Sequence, residues 1–334
     1  MVNFSLPRID KDQRLQELLL PYCRLKKGEI WQDAGSLHRV ACIDAADRKA
    51  VSALLDGQKA VLAVQDPPYN MTAFEKMPTN GFIKWCRKWV TNTELALCND
   101  ASLYIWLGAD QKNHFEPFGE FIIMMKDTAF SSRSFISMRN QRGYGTQKNW
   151  MAVRQELLYY VKGKPDFNPE AEETPIPKIL KGYYKLVDGK LLENSERSKS
   201  GNIRAGNIWV DIQQVFYRME ENVNGCYAQK PLKAIERIIK AASGKGELVL
   251  DLFAHAGTTL LASEINNRRC FTSDLSPVYC EITIRRLENY RKSKKTGWQN
   301  SNPFAAEIMS DKKLRTHLIK NYNIEIDRSN IKFL

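Results

Sequence analysis

The strongest constraint on the fold of this chain is a short apolar run, residues 60–65, that ends at an acid and two prolines. The run has the length of a buried strand, and the prolines must end it because proline cannot donate to a strand ladder. Asp66 is therefore expected at the carboxyl end of a parallel strand, the edge of an open α/β sheet where ligands bind. With Tyr69 close by, the segment predicts a preset pocket for a planar amine such as a nucleobase. A plain strand followed by a proline-rich turn is the alternative interpretation.

Strand-like and helix-like segments alternate through most of the sequence. Helices are predicted over residues 10–20, 47–55, 81–98, 229–239, 260–266 and 279–290. Strands are predicted over residues 39–44, 60–65, 102–106, 120–126, 156–161, 247–253 and 269–274. Strands that alternate with helices indicate an α/β fold with a mostly parallel sheet. The segment 131–150 is interpreted as a loop, and residues 72–78 as a mobile lid just past the pocket.

The regular alternation breaks between residues 164 and 225, where prolines and polar residues accumulate. Residues 178–204 carry seven Lys and Arg against three Asp and Glu, with Tyr183 and Tyr184 among them. Basic residues interleaved with aromatic ones suit contacts to phosphates and bases, so this insertion is predicted to bind nucleic acid. A solvated linker is the alternative. The whole-chain excess of 50 Lys and Arg over 38 Asp and Glu favours a polyanionic partner, although a merely basic protein would show the same excess.

Cysteine usage and hydropathy narrow the class of protein further. The seven cysteines are scattered and no CxxC pair occurs, which favours reduced thiols over a disulfide framework or a zinc site. No apolar run approaches the roughly 20 residues needed to span a bilayer. The first residues lack the basic and apolar regions of a signal peptide. We therefore expect a globular cytoplasmic protein without a metal, associated with the nucleoid if its source is bacterial.

A second ligand-binding unit is predicted in the last third of the chain. A strand that contains Asp251 is followed by a small-residue loop at 254–259, a helix, and a strand that ends at Asp274. This is the order of a mononucleotide-binding βαβ unit, in which the second carboxylate can accept both ribose hydroxyls. Neither G-x-G-x-x-G nor a Walker A loop is present, so the expected ligand is a nucleoside without a pyrophosphate. A negative residue such as Asp251 is favourable near a sulfonium or an amino group.

Four motifs together resemble the amino-methylating, S-adenosylmethionine-dependent DNA methyltransferases. They are residues 66–69 (Asp-Pro-Pro-Tyr), 229–231 (Gln-Lys-Pro), 248–259 and 276–280. The catalytic motif precedes the cofactor motif, an order similar to the β-type permutation of that family. The resemblance implies a Rossmann-like, seven-stranded, mostly parallel sheet with a target-recognition segment inserted between its two halves. The chain then divides into an N-terminal helical arm (1–28), a catalytic half (29–163), the insertion (164–225), a cofactor-binding half (226–292) and a basic C-terminal extension (293–334).

The resemblance also implies a role for each site residue. Asp66 and the carbonyl of Pro67 would accept hydrogen bonds from the target amine, Tyr69 would stack on the flipped base, and Pro68 completes the motif. The implied cofactor-binding residues are Asp44, Lys230, Pro231, Asp251, Phe253, Ala254, His255, Ala256, Gly257, Thr258, Thr259 and Asp274. The candidate nucleic-acid contacts are Asn70, Arg139, Arg142, Lys178, Lys181, Lys185, Arg197, Lys199 and Arg204.

The expected activity is methyl transfer from S-adenosylmethionine to adenine N6 in double-stranded DNA, after the base has been flipped out of the helix. In the family that the motifs resemble, Asp at the first motif position mostly accompanies adenine. A restriction-modification context and a homodimer are further expectations. Transfer to cytosine N4 or to an amine in RNA is one alternative. A weakly catalytic nucleic-acid-binding subunit is another, because His255 and Ala256 stand where the family loop has Gly and Ser.

Overall fold

The computed structural model describes residues 6–69, 77–108, 115–144, 150–178, 184–193, 201–299 and 301–322. Its helices are α1 (Gln13–Leu19), α2 (Arg48–Leu55), α3 (Thr79–Ala96), α4 (Phe118–Met125), α5 (Leu232–Ala242), α6 (Thr258–Ile265), α7 (Pro277–Ser293), α8 (Ala305–Ser310) and α9 (Lys312–Tyr322). Its strands are β1 (Ile30–Gln32), β2 (His38–Cys42), β3 (Ala60–Gln65), β4 (Leu97–Trp106), β5 (Ser131–Tyr144), β6 (Ala152–Lys162), β7 (Glu173–Pro177), β8 (Tyr184–Val187), β9 (Lys190–Glu193), β10 (Asn202–Arg204), β11 (Ile208–Trp209), β12 (Leu248–Asp251) and β13 (Arg269–Asp274).

The main sheet of the described residues has the strand order β1-β2-β13-β12-β3-β4-β6-β5-β11. The strands from β2 to β4 run parallel to one another, and β6 is antiparallel to both of its neighbours. Seven core strands thus lie between the short edge strands β1 and β11, which confirms the predicted mostly parallel α/β sheet. The strands β12 and β13, from the cofactor-binding half, lie between β2 and β3 of the catalytic half. The two halves therefore share one sheet.

Helices cover both faces of this sheet because its central strands are apolar on both sides. All four residues of β12 are buried, as expected for a strand between two helical layers. Helices α2, α3 and α4 contribute to the apolar cluster on one face. Helices α5, α6 and α7 contribute to the clusters on the other face. This arrangement leaves the carboxyl edge of the parallel strands as the place where loops can form a site.

The strand predicted over residues 120–126 is wrong, since this segment lies mostly in helix α4. The buried residues Phe121, Met124 and Met125 recur at helical spacing and pack into the core beside α3. A short continuous apolar run does not distinguish a buried helix from a buried strand, and the sequence offers no stronger signal here.

The loop predicted over residues 131–150 is also wrong for most of its length. Residues 131–144 form the long strand β5, which pairs antiparallel with β6. Ile136 and Met138 are buried on one face of this strand, while Phe135 on the other face is exposed. Frequent Ser and Arg residues conceal this alternation in the sequence.

The N-terminal arm and the C-terminal extension pack against each other. Helix α1 buries Leu15 and Leu19 in a cluster that also contains apolar residues of α8 and α9. Asp12, which caps α1, has its Oδ2 atom 2.7 Å from Nε2 of His317 and accepts a hydrogen bond from the Tyr322 hydroxyl at 2.8 Å. The described part of the C-terminal extension therefore completes a small core with the arm.

The insertion contains two small antiparallel sheets, β7 with β10 and β8 with β9. Its last strand, β11, instead joins the edge of the main sheet beside β5. Trp209 on β11 and Ile212 just after it are buried in the same cluster as α5. None of the helices in the described ranges is long and apolar enough to cross a membrane.

Candidate active site

Four acids lie at the carboxyl edge of the parallel sheet. Asp66 follows β3, Asp251 ends β12, Asp274 ends β13, and Asp44 lies two residues after β2. These four strands are adjacent in the order β2-β13-β12-β3. The fold thus brings together two predicted motifs that are separated by more than half of the chain.

The carboxylate of Asp66 is hydrogen-bonded by two side chains. Lys230 Nζ donates to Oδ2 at 2.7 Å, and the Tyr69 hydroxyl donates to Oδ1 at 3.3 Å. The Asp66 side chain is 25% exposed, so a ligand can approach it from solvent. Pro67 is buried and Pro68 half-buried, and their restricted φ angles fix the direction of the chain after β3. Burial raises the pKa of Tyr69 well above its ordinary value, which keeps its hydroxyl protonated as a donor.

The loop after β12 is fixed at both ends. The side-chain carbonyl of Gln65 accepts from the Leu252 amide at 3.0 Å, which ties the start of the loop to the end of β3. Gly257, at the end of the loop, has a φ of 71°. A Cβ atom at this position would lie 2.9 Å from the Cα of Thr283 on α7. Only glycine meets both conditions, so the close packing of loop and helix depends on it.

Two carboxylates of this edge have no ion-pair partner in the described part of the chain. Asp251 is buried and accepts a hydrogen bond from the Phe253 amide at 2.9 Å. Asp274 is half-buried and accepts from the amides of His255 at 3.0 Å and Ser276 at 2.9 Å. Burial raises the pKa of Asp251 to about 7 and that of Asp274 to about 6. The site therefore holds negative charge that a cationic ligand would stabilise.

His255 adds a ring to the loop without adding charge. Its backbone has a φ of 45°, the left-handed region in which a non-glycine residue is uncommon. Its imidazole packs edge-on against Tyr279 of α7, with the ring centroids 4.8 Å apart. Burial lowers the pKa of His255 to about 4, so the imidazole is neutral at physiological pH. A neutral imidazole does not repel a cationic ligand at this edge.

Phe253 forms an aromatic wall between the loop and α3. Its ring makes edge contacts with Trp89 at 5.3 Å and with Trp85 at 5.9 Å between centroids. Ala254 and Ala256, on the next turn of the loop, are buried. Small buried residues let the backbone run close to the sheet, and the half-buried Phe253 fixes one side of the loop.

The segment before α5 contacts the start of α6. The Thr258 hydroxyl donates to the carbonyl of Lys230 at 3.3 Å, and Pro231 caps the beginning of α5. The Thr259 hydroxyl is hydrogen-bonded to the Asp251 carboxylate. The predicted Gln-Lys-Pro motif and the predicted loop are thus in direct contact.

Asp44 lies farthest from Asp66 along this edge. It is exposed, and its carboxylate accepts from the Ala46 amide at 2.8 Å. The preceding residue, Ile43, donates its amide to the carbonyl of Asp274 at 3.0 Å. This contact places Asp44 at the rim of the same edge, beyond Asp274.

A family model described as DNA methylase, for the N6/N4 class, matches residues 61–285. The chain belongs to the N6/N4 DNA methylase family. It is therefore an S-adenosylmethionine-dependent DNA methyltransferase that acts on an exocyclic amine, and the expected cofactor class is confirmed.

Known proteins are similar to this methyltransferase at low identity. It is 23% identical over 275 residues to the type II methyltransferase M.BamHI of Bacillus amyloliquefaciens. This match covers 80% of this chain and 60% of the relative. It is 24% identical over 233 residues to the DNA adenine methyltransferase YhdJ of Escherichia coli K12, covering 68% and 76% of the two chains. The cytosine-N4-specific PvuII DNA methyltransferase shares the fold, with a TM-score of 0.54 and 14% identity over 78% of this chain and 89% of that one.

Arg286 on α7 belongs to the site of this methyltransferase, although no sequence pattern reveals it. The side chain is fully buried, and burial lowers its pKa to about 10, so it stays charged at neutral pH. Its guanidinium donates at 2.7–3.1 Å to the carbonyls of Ala256, Glu221 and Thr296 and to the hydroxyl of Thr258. Because the buried Arg286 binds Ala256 and Thr258 as well as Glu221 and Thr296, it fixes the loop against the two neighbouring segments. A basic residue in an amphipathic helix is usually at the surface, which is why the sequence does not single it out.

The predicted nucleic-acid contacts are only partly within the described structure. Arg139 on β5 and Arg204 on β10 are exposed, and Lys178 is half-buried just after β7. Arg139 therefore lies on a strand and not in a loop. Outside the described residues lie Asn70, Lys181, Arg197 and Lys199, the side chains of Arg142 and Lys185, and residues 72–76 of the predicted lid.

Proposed function

We propose that this methyltransferase transfers a methyl group from S-adenosylmethionine to the N6 amine of adenine in double-stranded DNA. The observation that carries this proposal is the position of Asp66. Its carboxylate and the Tyr69 ring lie at the end of β3, directly beside the strand whose loop is expected to hold the cofactor. Acceptor, aromatic face and cofactor loop are therefore adjacent at one edge of the sheet.

The chemistry required of the chain is to activate a poor nucleophile. The lone pair of an adenine amine is delocalised into the ring. Two acceptors, the Asp66 carboxylate and the Pro67 carbonyl, would take both N–H hydrogens and move the nitrogen toward tetrahedral geometry. The target base must leave the helix to reach them, at a cost of a few kcal/mol, and Tyr69 offers a ring on which it would stack. Transfer then needs only in-line positioning, so the chain contributes orientation and no covalent intermediate.

The residues at the edge fit the cofactor class. S-adenosylmethionine, when bound, supplies a methyl group on a sulfonium and also carries an ammonium. The Asp251 carboxylate, which has no ion-pair partner in the described ranges, would stabilise these positive charges, and the Asp274 carboxylate would accept the ribose hydroxyls. The neutral His255 does not oppose them. Phe253, the loop to Thr259 and the 230–231 segment would surround the nucleoside, with Asp44 at the adenine end.

Duplex DNA as the partner is supported by charge. The chain carries a formal net charge of +12, and exposed arginines are present on β5 and β10. Phosphate contacts of this kind provide affinity without sequence information. We propose that base recognition lies in the insertion, residues 164–225. The adenine preference is supported by Asp at the first motif position and by the likeness to a DNA adenine methyltransferase.

The test is transfer of a labelled methyl group to unmethylated genomic DNA, followed by nucleoside analysis. We expect labelled N6-methyladenine from the wild type and none from Asp66→Ala. Asp127→Ala is the matched control, because Asp127 lies just after α4, is 65% exposed and, among the described residues, pairs with Arg87 at the surface. N4-methylcytosine, or labelling of RNA alone, would contradict the proposed substrate. A folded protein that binds no cofactor, even with DNA present, would instead indicate a nucleic-acid-binding subunit.

A further inference from the structure

Lys230 lies where the target amine has to bind. Its ammonium donates to Oδ2 of Asp66 at 2.7 Å, although the two residues are 164 positions apart in the sequence. The Lys230 side chain is only 11% exposed. Its Nζ is 5.9 Å from the Tyr69 ring centroid and 5.5 Å from that of Trp106, so the ammonium also contacts two aromatic rings. An amine donor that meets Asp66 beside the Tyr69 ring has the same surroundings as the proposed adenine amine.

The two amines cannot occupy this position together. A carboxylate has room for several donors, but the ammonium lies 2.7 Å from Oδ2 and 5.9 Å from the Tyr69 ring centroid, the position that the target amine would need. A flipped base that presents its own N–H groups to Asp66 must therefore displace Lys230. The partly buried Asp66 carboxylate needs a hydrogen-bond donor in both states of the enzyme. Lys230 is that donor without DNA, and the amine of the flipped base would replace it.

We propose that Lys230 is a placeholder for the target amine: it neutralises Asp66 in the DNA-free enzyme and leaves when the target base enters. This inference rests on the proposed function, since it assigns the regulation of the same pocket. The exchange needs movement of the side chain alone. The backbone of Lys230 is fixed by Pro231 at the start of α5 and by the Thr258 hydroxyl, whereas the lysine side chain has several rotatable bonds.

The same geometry connects the placeholder to the cofactor loop. Thr258 donates to the Lys230 carbonyl and accepts from Arg286, which in turn binds the carbonyl of Ala256. The base of the lysine side chain is therefore held by the loop that is expected to hold the methyl donor. Its ammonium, at the other end, is held by Asp66.

The first test measures the ion pair in the DNA-free protein and needs no recognition sequence. Lysines are acylated with the N-hydroxysuccinimide ester of acetic acid, and the rate at each site is followed by mass spectrometry. Lys230 should react at least about tenfold more slowly than the exposed Lys49 on α2. In Asp66→Asn the rate at Lys230 should rise severalfold while that at Lys49 stays the same. A wild-type Lys230 that reacts as fast as Lys49 would overturn the proposal.

The second test measures the competition directly. The target adenine is first located by mapping modified bases. A duplex that contains it carries 2-aminopurine as the neighbouring base, and the fluorescence of this probe reports flipping of the adenine. The measurement is made without cofactor. Lys230→Met should raise the flipping equilibrium constant at least about tenfold, equivalent to about 1.4 kcal/mol. A target purine without the amine should show no such gain, because only the amine competes with Lys230. Lys233→Met, one turn along α5 and 44% exposed, should behave as the wild type.

The outcomes separate the two claims. An equal gain for adenine and amine-free purine, or no gain for either, refutes the placeholder even if DNA is methylated. A protected Lys230 in a protein that methylates no DNA refutes the proposed function and leaves the ion pair established. If Lys230→Met does not fold, the acylation rates of the wild type and Asp66→Asn still decide whether Lys230 occupies the Asp66 carboxylate.

Discussion

Asp251 and Asp274, which have no ion-pair partner in the described ranges, predict a specific pH dependence of cofactor binding. Lowering the pH from 8 to 6 should weaken the binding of S-adenosylmethionine to the DNA-free protein by about twentyfold. The reason is that burial raises the pKa of Asp251 to about 7 and that of Asp274 to about 6. As the pH falls, both carboxylates take up protons, after which Asp251 no longer stabilises a positive charge and Asp274 no longer accepts both ribose hydroxyls.

The magnitude follows from the fraction of each carboxylate that is ionised. With a pKa of about 7, only about a tenth of Asp251 is ionised at pH 6, and with a pKa of about 6 about half of Asp274 is. At pH 8 both are largely ionised. If the cofactor binds the ionised forms, the two effects multiply to about twentyfold, or roughly 1.8 kcal/mol. Asp251 contributes most of this difference.

Isothermal titration calorimetry at pH 6, 7 and 8 is the assay. Asp251→Asn should bind weakly at pH 8 and retain only about a twofold change down to pH 6, from Asp274. The control Asp127→Asn, which changes an exposed carboxylate paired with Arg87 at the surface, should follow the wild-type profile. A wild-type dissociation constant that is the same at pH 6 and pH 8 would refute the role of the two carboxylates in binding the cofactor.

Two further substitutions test how the loop is held. Gly257→Ala should lose more than about 1 kcal/mol of unfolding free energy and bind cofactor more weakly, because its φ is positive and a Cβ would meet Thr283. Gly119→Ala, in helix α4 with no atom near its Cβ, should be at least as stable as the wild type in the same urea titration. Arg286→Met should lose at least about 3 kcal/mol of unfolding free energy, because the carbonyls of Ala256 and Thr296 and the Thr258 hydroxyl all lose the guanidinium as their donor. A loss below about 1 kcal/mol would contradict the bonding described for this side chain.

The sequence predicts the part of the fold where local signals are strong. An apolar run that is cut off by prolines predicts strand β3 with its observed bounds. Small residues and a glycine between two buried strands that each carry an acid predict the unit from β12 to β13. The two acids and the loop between them therefore follow from local composition alone.

The remaining features depend on contacts that a sequence does not show. The short apolar run of α4 predicts a strand, and the polar residues that dominate β5 predict a loop, so both predictions are wrong. Arg286 is buried only because the loop, the segment before α5 and the chain after α7 all meet around it. The ion pair between Lys230 and Asp66 joins two motifs whose proximity is created by the order of strands in the sheet.

The central claim is that Asp66 serves methyl transfer to adenine N6, and mapping of modified bases tests it most directly. The protein would be expressed in a host without adenine methylation, and the host DNA sequenced by a long-read method that detects modified bases. We predict N6-methyladenine at one short recurrent sequence with the wild type and unmodified DNA with Asp66→Ala. N4-methylcytosine in place of N6-methyladenine, or full modification by Asp66→Ala, would contradict the claim.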